Sequence, residues 1–492
     1  MNIVEFFKNK GYLVSEDFLN TIDDTFDPEK FMDDLLKEKE KPVVLTKDIY
    51  RKIIDKKFEE KTKKCEADTS ANILTSVKIV KNYEEQSKKR EVQHFVSYFK
   101  ERYNFLKDVL QKRPELENTV SINRVIKKSE RENVSIIGLV NEKRTTKNGN
   151  IIVELEDPTG KISIIVTKNK EEFDKAKDLV LDEVIGVTGV MANRKMVFAN
   201  KIFFPDIPQG RGLKKCPDEV YAVFTSDLHI GSKMFLEKNF SKFIKWLNCE
   251  LGDEKQREIA KKVKYLFIVG DLVDGINIYP NQEKELEIKD VEEQYNTCAE
   301  YLSQIRDDIS IILCGGNHDA LRLTEPQPKL NKKFAKRIYD LKNVLVVSNP
   351  AMVNIHSSEN FKGFDVLLYH GFSFDYYVAN VDSIRNNGGY DRADLIMKFL
   401  LQRRHLAPAH SSTLYIPDPN KDPLVIDKTP DFFVAGHIHK SKVGSYKSTT
   451  TICCSCWQAK TTFQERVGHN PEPARVPIVN LKTRQTKILK FE

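Results

Sequence analysis

Asp, His and Asn recur in five short strings in the C-terminal half of the chain: Asp227-Leu228-His229, Gly270-Asp271-Leu272-Val273-Asp274, Gly316-Asn317-His318-Asp319, Tyr369-His370-Gly371 and Gly436-His437-Ile438-His439. Imidazoles, carboxylates and an Asn amide oxygen together suit divalent first-row metals better than an all-oxygen Ca²⁺ cage does. The set has too many ligands for one ion, so two are expected. Mn²⁺ is the first choice, with Mg²⁺, Fe²⁺ or Zn²⁺ as alternatives. A lone histidine after a strand is as often structural as functional. Here five of the chain's ten histidines fall inside the strings, each sharing its string with Asp, Asn or Gly. Such a cluster supports hydrolysis, above all of a phosphate ester.

The elements that must position these residues are short apolar runs. Ala222–Phe224, Tyr265–Val269, Ile309–Leu313, Val366–Leu368 and Phe432–Val434 precede the five strings and are rich in β-branched and aromatic residues. They read as strands covered on both faces. In a layered α/β sheet the polar residues just past such strand ends collect in one crevice. Gly270, Gly315, Gly316, Gly371 and Gly436 let the backbone turn sharply beside the ligands.

The ordered set D-x-H, G-D-x-x-D, G-N-H-D, H-G, G-H-x-H resembles the calcineurin-like metallophosphoesterases over about residues 218 to 465. The resemblance implies one metal held by Asp227, His229 and His439, another by Asn317, His370 and His437, and Asp271 as the bridging carboxylate. It gives His318 contact with the scissile phosphate and protonation of the leaving oxygen, with Asp319 orienting its ring. Hydroxide is then the nucleophile, with no covalent enzyme intermediate. No motif position is missing.

At 492 residues the chain should hold two or three domains. Residues 1–55 read as a small helical module, with Ser15 and Asp27-Pro28 as helix starts. It either binds another protein or is a helical appendage. Residues 56–117 read as a charged linker followed by a helix near Val92 to Gln111. Their Lys/Glu-rich part is a solvated helix face or flexible linker, or a DNA contact. Residues 118–205 contain five strand-like segments, Val134–Val140, Ile151–Leu155, Ile162–Val166, Val184–Val190 and Met196–Phe198, with a helix-like stretch Lys170–Asp178 between the third and fourth. That order fits an oligonucleotide/oligosaccharide-binding (OB) barrel, which serves either DNA or a partner subunit. Residues 206–492 complete the chain as the phosphoesterase domain. The expected fold class is α/β with a β-barrel domain: a sandwich of mixed sheets flanked by helices, preceded by the barrel and the helical module.

A barrel directly before a calcineurin-like domain resembles the B subunits of replicative DNA polymerases. The intact metal set resembles the small, exonuclease subunits of the archaeal family D polymerases. Further matches lie at Leu400–Pro408, Val425–Asp431 and Ser455–Gln458 through Pro471–Pro473. The resemblance implies a 3′ to 5′ exonuclease that proofreads for a separate, larger catalytic chain. The partners implied are that large subunit, single-stranded DNA or a primer 3′ end, and replication accessory factors. Arg403, Arg404 and His405, between the fourth and fifth strings, are expected to meet the DNA backbone; the alternative is that they only solvate a helix.

Charge adds little, since 79 basic and 72 acidic residues leave +7. The eight cysteines are scattered and read as reduced thiols, and Cys453-Cys454-Ser455-Cys456 lacks a second ligand pair for zinc. His94, His356, His410 and His469 have no ligand-like setting. No apolar run approaches the roughly 18 residues of a membrane span, so a cytoplasmic, nucleoid-associated location is expected. Two rivals stand beside the exonuclease: a stand-alone metallophosphodiesterase acting on nucleotides or RNA, and a non-catalytic polymerase scaffold.

Overall fold

The computed structural model describes residues 3–19, 21–22, 26–37, 42–50, 52–53, 77–84, 89–193, 195–418, 420–466 and 468–492. Two compact units separate, a small N-terminal one and a large one that holds a barrel and two six-stranded sheets.

In the small unit, helices Ile3–Asn9, Glu16–Leu19 and Pro28–Leu36 bury Phe7, Phe18, Phe31 and Leu35. Asp27 caps the third helix, its carboxylate accepting from the Glu29 and Lys30 amides at 3.1 Å, and Pro28 takes the first helical position. Ser15 opens the second helix, its carbonyl accepting from the Leu19 amide at 3.2 Å. Its hydroxyl donates to the Leu45 carbonyl at 2.7 Å, tying the second helix to a short parallel strand pair, Leu13–Val14 with Val44–Leu45.

Much of the expected charged linker, residues 56–76 and 85–88, lies outside the described residues, as do residues 54 and 55 of the expected helical module. Between these stretches the structure departs from the linker reading. Val77–Lys81 is a strand, pairing antiparallel with Ala351–Ile355 at the edge of a sheet. Only Val77 is buried, and its lysines suit an edge that must not recruit another chain. Helix Val92–Gln111 follows, burying Tyr98, Arg102, Leu106 and Leu110 at four-residue intervals along one face.

The barrel closes from Asn133–Thr145, Ile151–Asp157, Gly160–Val166, Met196–Phe203 and Val184–Asn193, in that spatial order. A one-turn helix, Phe173–Lys177, lies between the third and fourth strands of the chain. Alternating residues such as Val153, Leu155, Ile162 and Ile164 fill the interior. The Asp157 carboxylate accepts from the Thr159 and Gly160 amides at 2.7 and 3.1 Å and so fixes one hairpin turn.

The phosphoesterase part is a sandwich. One sheet runs Val344–Val346, Ser310–Cys314, Val263–Val269, Tyr221–Thr225, Arg475–Asn480, Thr486–Lys490, with its first four strands parallel. The other runs Lys442–Tyr446, Thr449–Cys453, Phe432–Ala435, Phe364–Leu368, Ala351–Ile355, Val77–Lys81. Phe224, Phe267 and Ile312 of the first sheet share one core with Val366, Phe432 and Ile452 of the second. That shared core brings the strand ends of both sheets to one place. Among the described residues no helix is long and apolar enough to cross a membrane.

Candidate metal centre

The five strings leave the C-terminal ends of Tyr221–Thr225, Val263–Val269 and Ser310–Cys314 in one sheet and of Phe364–Leu368 and Phe432–Ala435 in the other. Asp227, His229, Asp271, His437 and His439 all turn through the left-handed region, with φ of 51, 52, 50, 71 and 53°. A non-glycine residue held there costs on the order of 1–3 kcal/mol, so five together mark backbone shaped for a site rather than for stability. Two glycines make the approach possible. A β-carbon at Gly270 would strike the His370 ring, and one at Gly436 would strike the Asp227 carboxylate.

One group of ligand atoms comes from Asp227, His229 and His439, all within 4.8 Å of one another. The His229 and His439 Nε2 atoms lie 3.1 Å apart, and His439 Nε2 lies 3.4 Å from Asp227 Oδ1. His229 Nδ1 donates to Asp274 Oδ1 at 3.1 Å, which leaves the Nε2 lone pair facing inward. Asp274 is itself held by the side-chain amides of Gln282 and Gln458, each at 2.9 Å.

The other group surrounds Asn317, whose Oδ1 lies 3.0 Å from both His370 Nε2 and His437 Nδ1. His370 Nδ1 donates to the Val269 carbonyl at 2.9 Å, and His437 Nε2 meets Asp375 Oδ2 at 3.1 Å. Asp271 stands between the groups. It clusters with Asp227 and His370 on one side and with His229 and His318 on the other.

The electrostatics favour a cation at the centre. Burial would raise the Asp271 carboxyl, yet His370 and His318 hold it well below the usual carboxylate range. Asp227 is lowered in the same way by His439 against its burial. Burial would lower His370, but Asp271 pushes it up to about 10. His439 is raised against burial by the Cys456 thiol and Asp227. Buried ionised carboxylates facing convergent imidazoles and an amide oxygen fit divalent metal ions by charge and by donor type.

His318 is mostly buried, and its ring meets that of His229 edge to face at 4.6 Å. The expected partner of its ring is corrected by the structure. His318 Nδ1 donates to the main-chain carbonyl of Asp274 at 2.8 Å. Asp319 instead accepts from the Gly316 amide at 2.8 Å and the Tyr295 hydroxyl at 2.9 Å, holding the loop that carries Asn317. Burial and the neighbouring Asp271 push its carboxyl up to about 7.

Arg403, Arg404 and His405 require a second correction. They are 3, 6 and 1 % exposed and present no basic face to a nucleic acid. Arg403 lies 2.9 Å from Glu183 of the barrel, an ion pair outside hydrogen-bond geometry, and stacks on Phe399 and Phe204. Arg404 donates to the Ile426 and Asp427 carbonyls. His405 Nε2 meets Asp422 at 2.7 Å, and Asp422 also receives Arg102 Nε at 2.7 Å and the Tyr98 hydroxyl at 2.7 Å. Long buried side chains with matched partners fix packing between elements; a backbone-binding arginine needs a free fork.

Asp274, Gln282, Gln458 and Asp375 were not singled out by the sequence. Asp274 closes the G-D-x-x-D string and Gln458 ends the Ser455–Gln458 match, so both carried a signal. Gln282 and Asp375 carried none. His469, which has no ligand-like setting in the sequence, packs against Tyr390 with ring centroids 4.4 Å apart and planes tilted by 58°, and the fields of Asp375, His439 and His437 bear on it. Tyr390 in turn bears on Asp375.

Residues 221–441 match the calcineurin-like phosphoesterase family, and residues 134–202 match the OB-fold nucleic acid binding domain. The chain is 41% identical over 391 residues to the DNA polymerase II small subunit of Methanothermobacter thermautotrophicus, covering 79% of this chain and 78% of that protein. Identity to the Archaeoglobus fulgidus protein of the same description is 40% over 388 residues, covering 79% and 75%. For the Pyrococcus furiosus protein of that description it is 39% over 403 residues, covering 81% of this chain and 64% of that one. With strands, ligand strings and barrel in place, the chain belongs to the DNA polymerase II small subunit family.

Proposed function

We propose that this chain is a metal-dependent 3′ to 5′ exonuclease acting on single-stranded DNA, and that it proofreads within a polymerase whose synthetic activity resides in a larger partner subunit. The observation that carries the reading is the complete ligand set, gathered at the strand ends of a chain whose relatives are polymerase small subunits. A scaffold that kept only its shape would have no need of five ligands in left-handed backbone.

Asp227, His229 and His439 would hold one divalent cation, and Asn317, His370 and His437 another, with Asp271 shared. Such ions, when bound, supply Lewis-acid stabilisation of phosphate oxygens and an activated water. The protein's own part is positioning. Asp274 and the Val269 carbonyl fix which nitrogen of His229 and His370 faces inward. His318, entering the step as the imidazolium with Nδ1–H donating to the Asp274 carbonyl, gives its Nε2 proton to the leaving oxygen and is left as the neutral Nδ1–H ring. The barrel binds DNA or the partner subunit, and its outward-facing Phe198, 46 % exposed, offers a stacking surface to either.

The test compares substrates and polarity. Single-stranded DNA labelled at either end, and a cyclic nucleotide, are each incubated with the purified chain and Mn²⁺. Stepwise loss from the 3′ end with little cleavage of the cyclic nucleotide is expected. Preferential cleavage of the cyclic nucleotide would move the reading to a small-molecule phosphodiesterase.

A further inference from the structure

Each group of ligand atoms contains one imidazole anchored by a carboxylate. In the first, His229 is held by Asp274, which is fully buried and braced by two glutamine amides. In the second, His437 is held by Asp375, which sits in the first turn of the short helix Phe374–Asn380, directly after the Tyr369-His370-Gly371 string. Asp375 differs from Asp274 in its setting. Its side chain is 49 % exposed, and among the described residues no glutamine amide hydrogen-bonds to it.

A carboxylate only accepts, so the contact with Asp375 Oδ2 requires the proton of His437 to be on Nε2. The lone pair of Nδ1 then points at the position shared with Asn317 Oδ1 and, beyond it, His370 Nε2. Loss of the carboxylate would free the ring to take the other tautomer or to turn out, because no main-chain carbonyl replaces it as Val269 does for His370. Tyr390 also bears on the Asp375 carboxylate as a side-chain hydrogen-bond partner and, with His437, lowers it against burial, while Asp375 Oδ1 meets no further donor of good geometry among the described residues.

We infer that Asp375 is a positioning residue that sets the tautomer and orientation of His437 and thereby the affinity of the Asn317, His370 and His437 group for a divalent cation. This rests on the metal-centre reading above and goes further by ranking the two groups. The Asp274-anchored group binds first and tightly; the Asp375-anchored group is the weaker and is filled second. Loss of a carboxylate behind a ligating histidine weakens metal binding by roughly 10–100-fold.

Calorimetric Mn²⁺ titration of the metal-stripped full-length chain tests this without recourse to activity. The unaltered chain should give two resolved steps. Asp375→Ala should weaken the second step 10–100-fold and leave the first unchanged, Asp375→Asn should fall between, and Asp375→Glu should restore part of the affinity. Melting temperatures of the metal-free variants should match that of the unaltered chain. An isotherm unchanged in both Asp375→Ala and Asp375→Asn, or loss of the tight step instead, overturns the inference while leaving the metal centre intact. Failure of the unaltered chain to bind Mn²⁺ overturns the metal-centre reading and this inference with it.

Discussion

Two clusters of buried charge lie in the large unit, and they differ in what their lone pairs face. Where the helix Val92–Gln111 and the barrel meet the phosphoesterase part, Arg102 is paired with Asp422, to which the neutral His405 ring also donates, and Arg403 is paired with Glu183. Each charge there has an opposite charge of the protein beside it. At the strand ends, Asp227, Asp271, His229, His370, His437, His439 and Asn317 turn potential metal-ligating atoms toward one another. Both clusters cost desolvation free energy. The first is compensated internally and can serve only packing, whereas the second is completed by a cation. Burial and charge alone therefore do not identify a site; convergence of like-natured donor atoms does.

The sharpest way to break this contrast is to remove a central ligand. Asp271→Ala should abolish phosphodiester hydrolysis while the chain keeps its fold, as judged by circular dichroism. His318→Ala should slow turnover by about 10²–10⁴-fold yet retain bound metal, since the imidazole supplies a proton and not a ligand. A metal-depleted His318 variant would place that residue among the ligands instead.

The seam should answer in stability and not in chemistry. Asp422→Ala leaves Arg102 buried without its partner and should cost about 3–5 kcal/mol in denaturant unfolding. The fraction still folded should cleave a small phosphodiester at the normal rate. Acid should weaken the same seam. Burial, helped by the nearby Arg102 charge, lowers His405 to about 4, below the roughly 6.5 of an unfolded chain. The unfolded state therefore binds the proton first, so this stabilisation is complete above about pH 6.5 and is lost as pH falls toward 4. The loss is on the order of 3 kcal/mol. Asp422 is held below its ordinary value by His405 and Arg102 against its burial, so its share disappears only at still lower pH. His405→Gln should flatten the upper part of this profile. The smallest effect is expected for Arg404→Ala, which should leave KM for single-stranded DNA and for a small phosphodiester changed in equal measure or not at all. A selective rise in KM for DNA would restore the nucleic-acid role that its burial argues against.

The strands, the barrel and the ligand residues were legible because each carries a local signal. Apolar runs such as Tyr265–Val269 end at Gly-Asp, and Asp157–Gly160 makes its turn with its own side chain. Three features were not legible. Val77–Lys81 lies in a lysine-rich context, and pairing with a strand more than 270 residues away is a tertiary fact. Arg403, Arg404 and His405 look like a basic surface patch because sequence does not display Asp422 or Glu183 beside them. Asp375 and Gln282 belong to no string, and their roles emerge only from where the helix after His370 and the loop after Asp274 pass.

The central claim is that the strand-end cluster is a working metal centre. Its most direct test follows 3′ to 5′ degradation of end-labelled single-stranded DNA by the chelator-stripped chain before and after Mn²⁺ is restored, with Asp271→Ala beside it. The account predicts no degradation without metal, recovery with Mn²⁺, and none in the variant under either condition. Degradation that persists in chelator, or that Asp271→Ala supports at the normal rate, would contradict it.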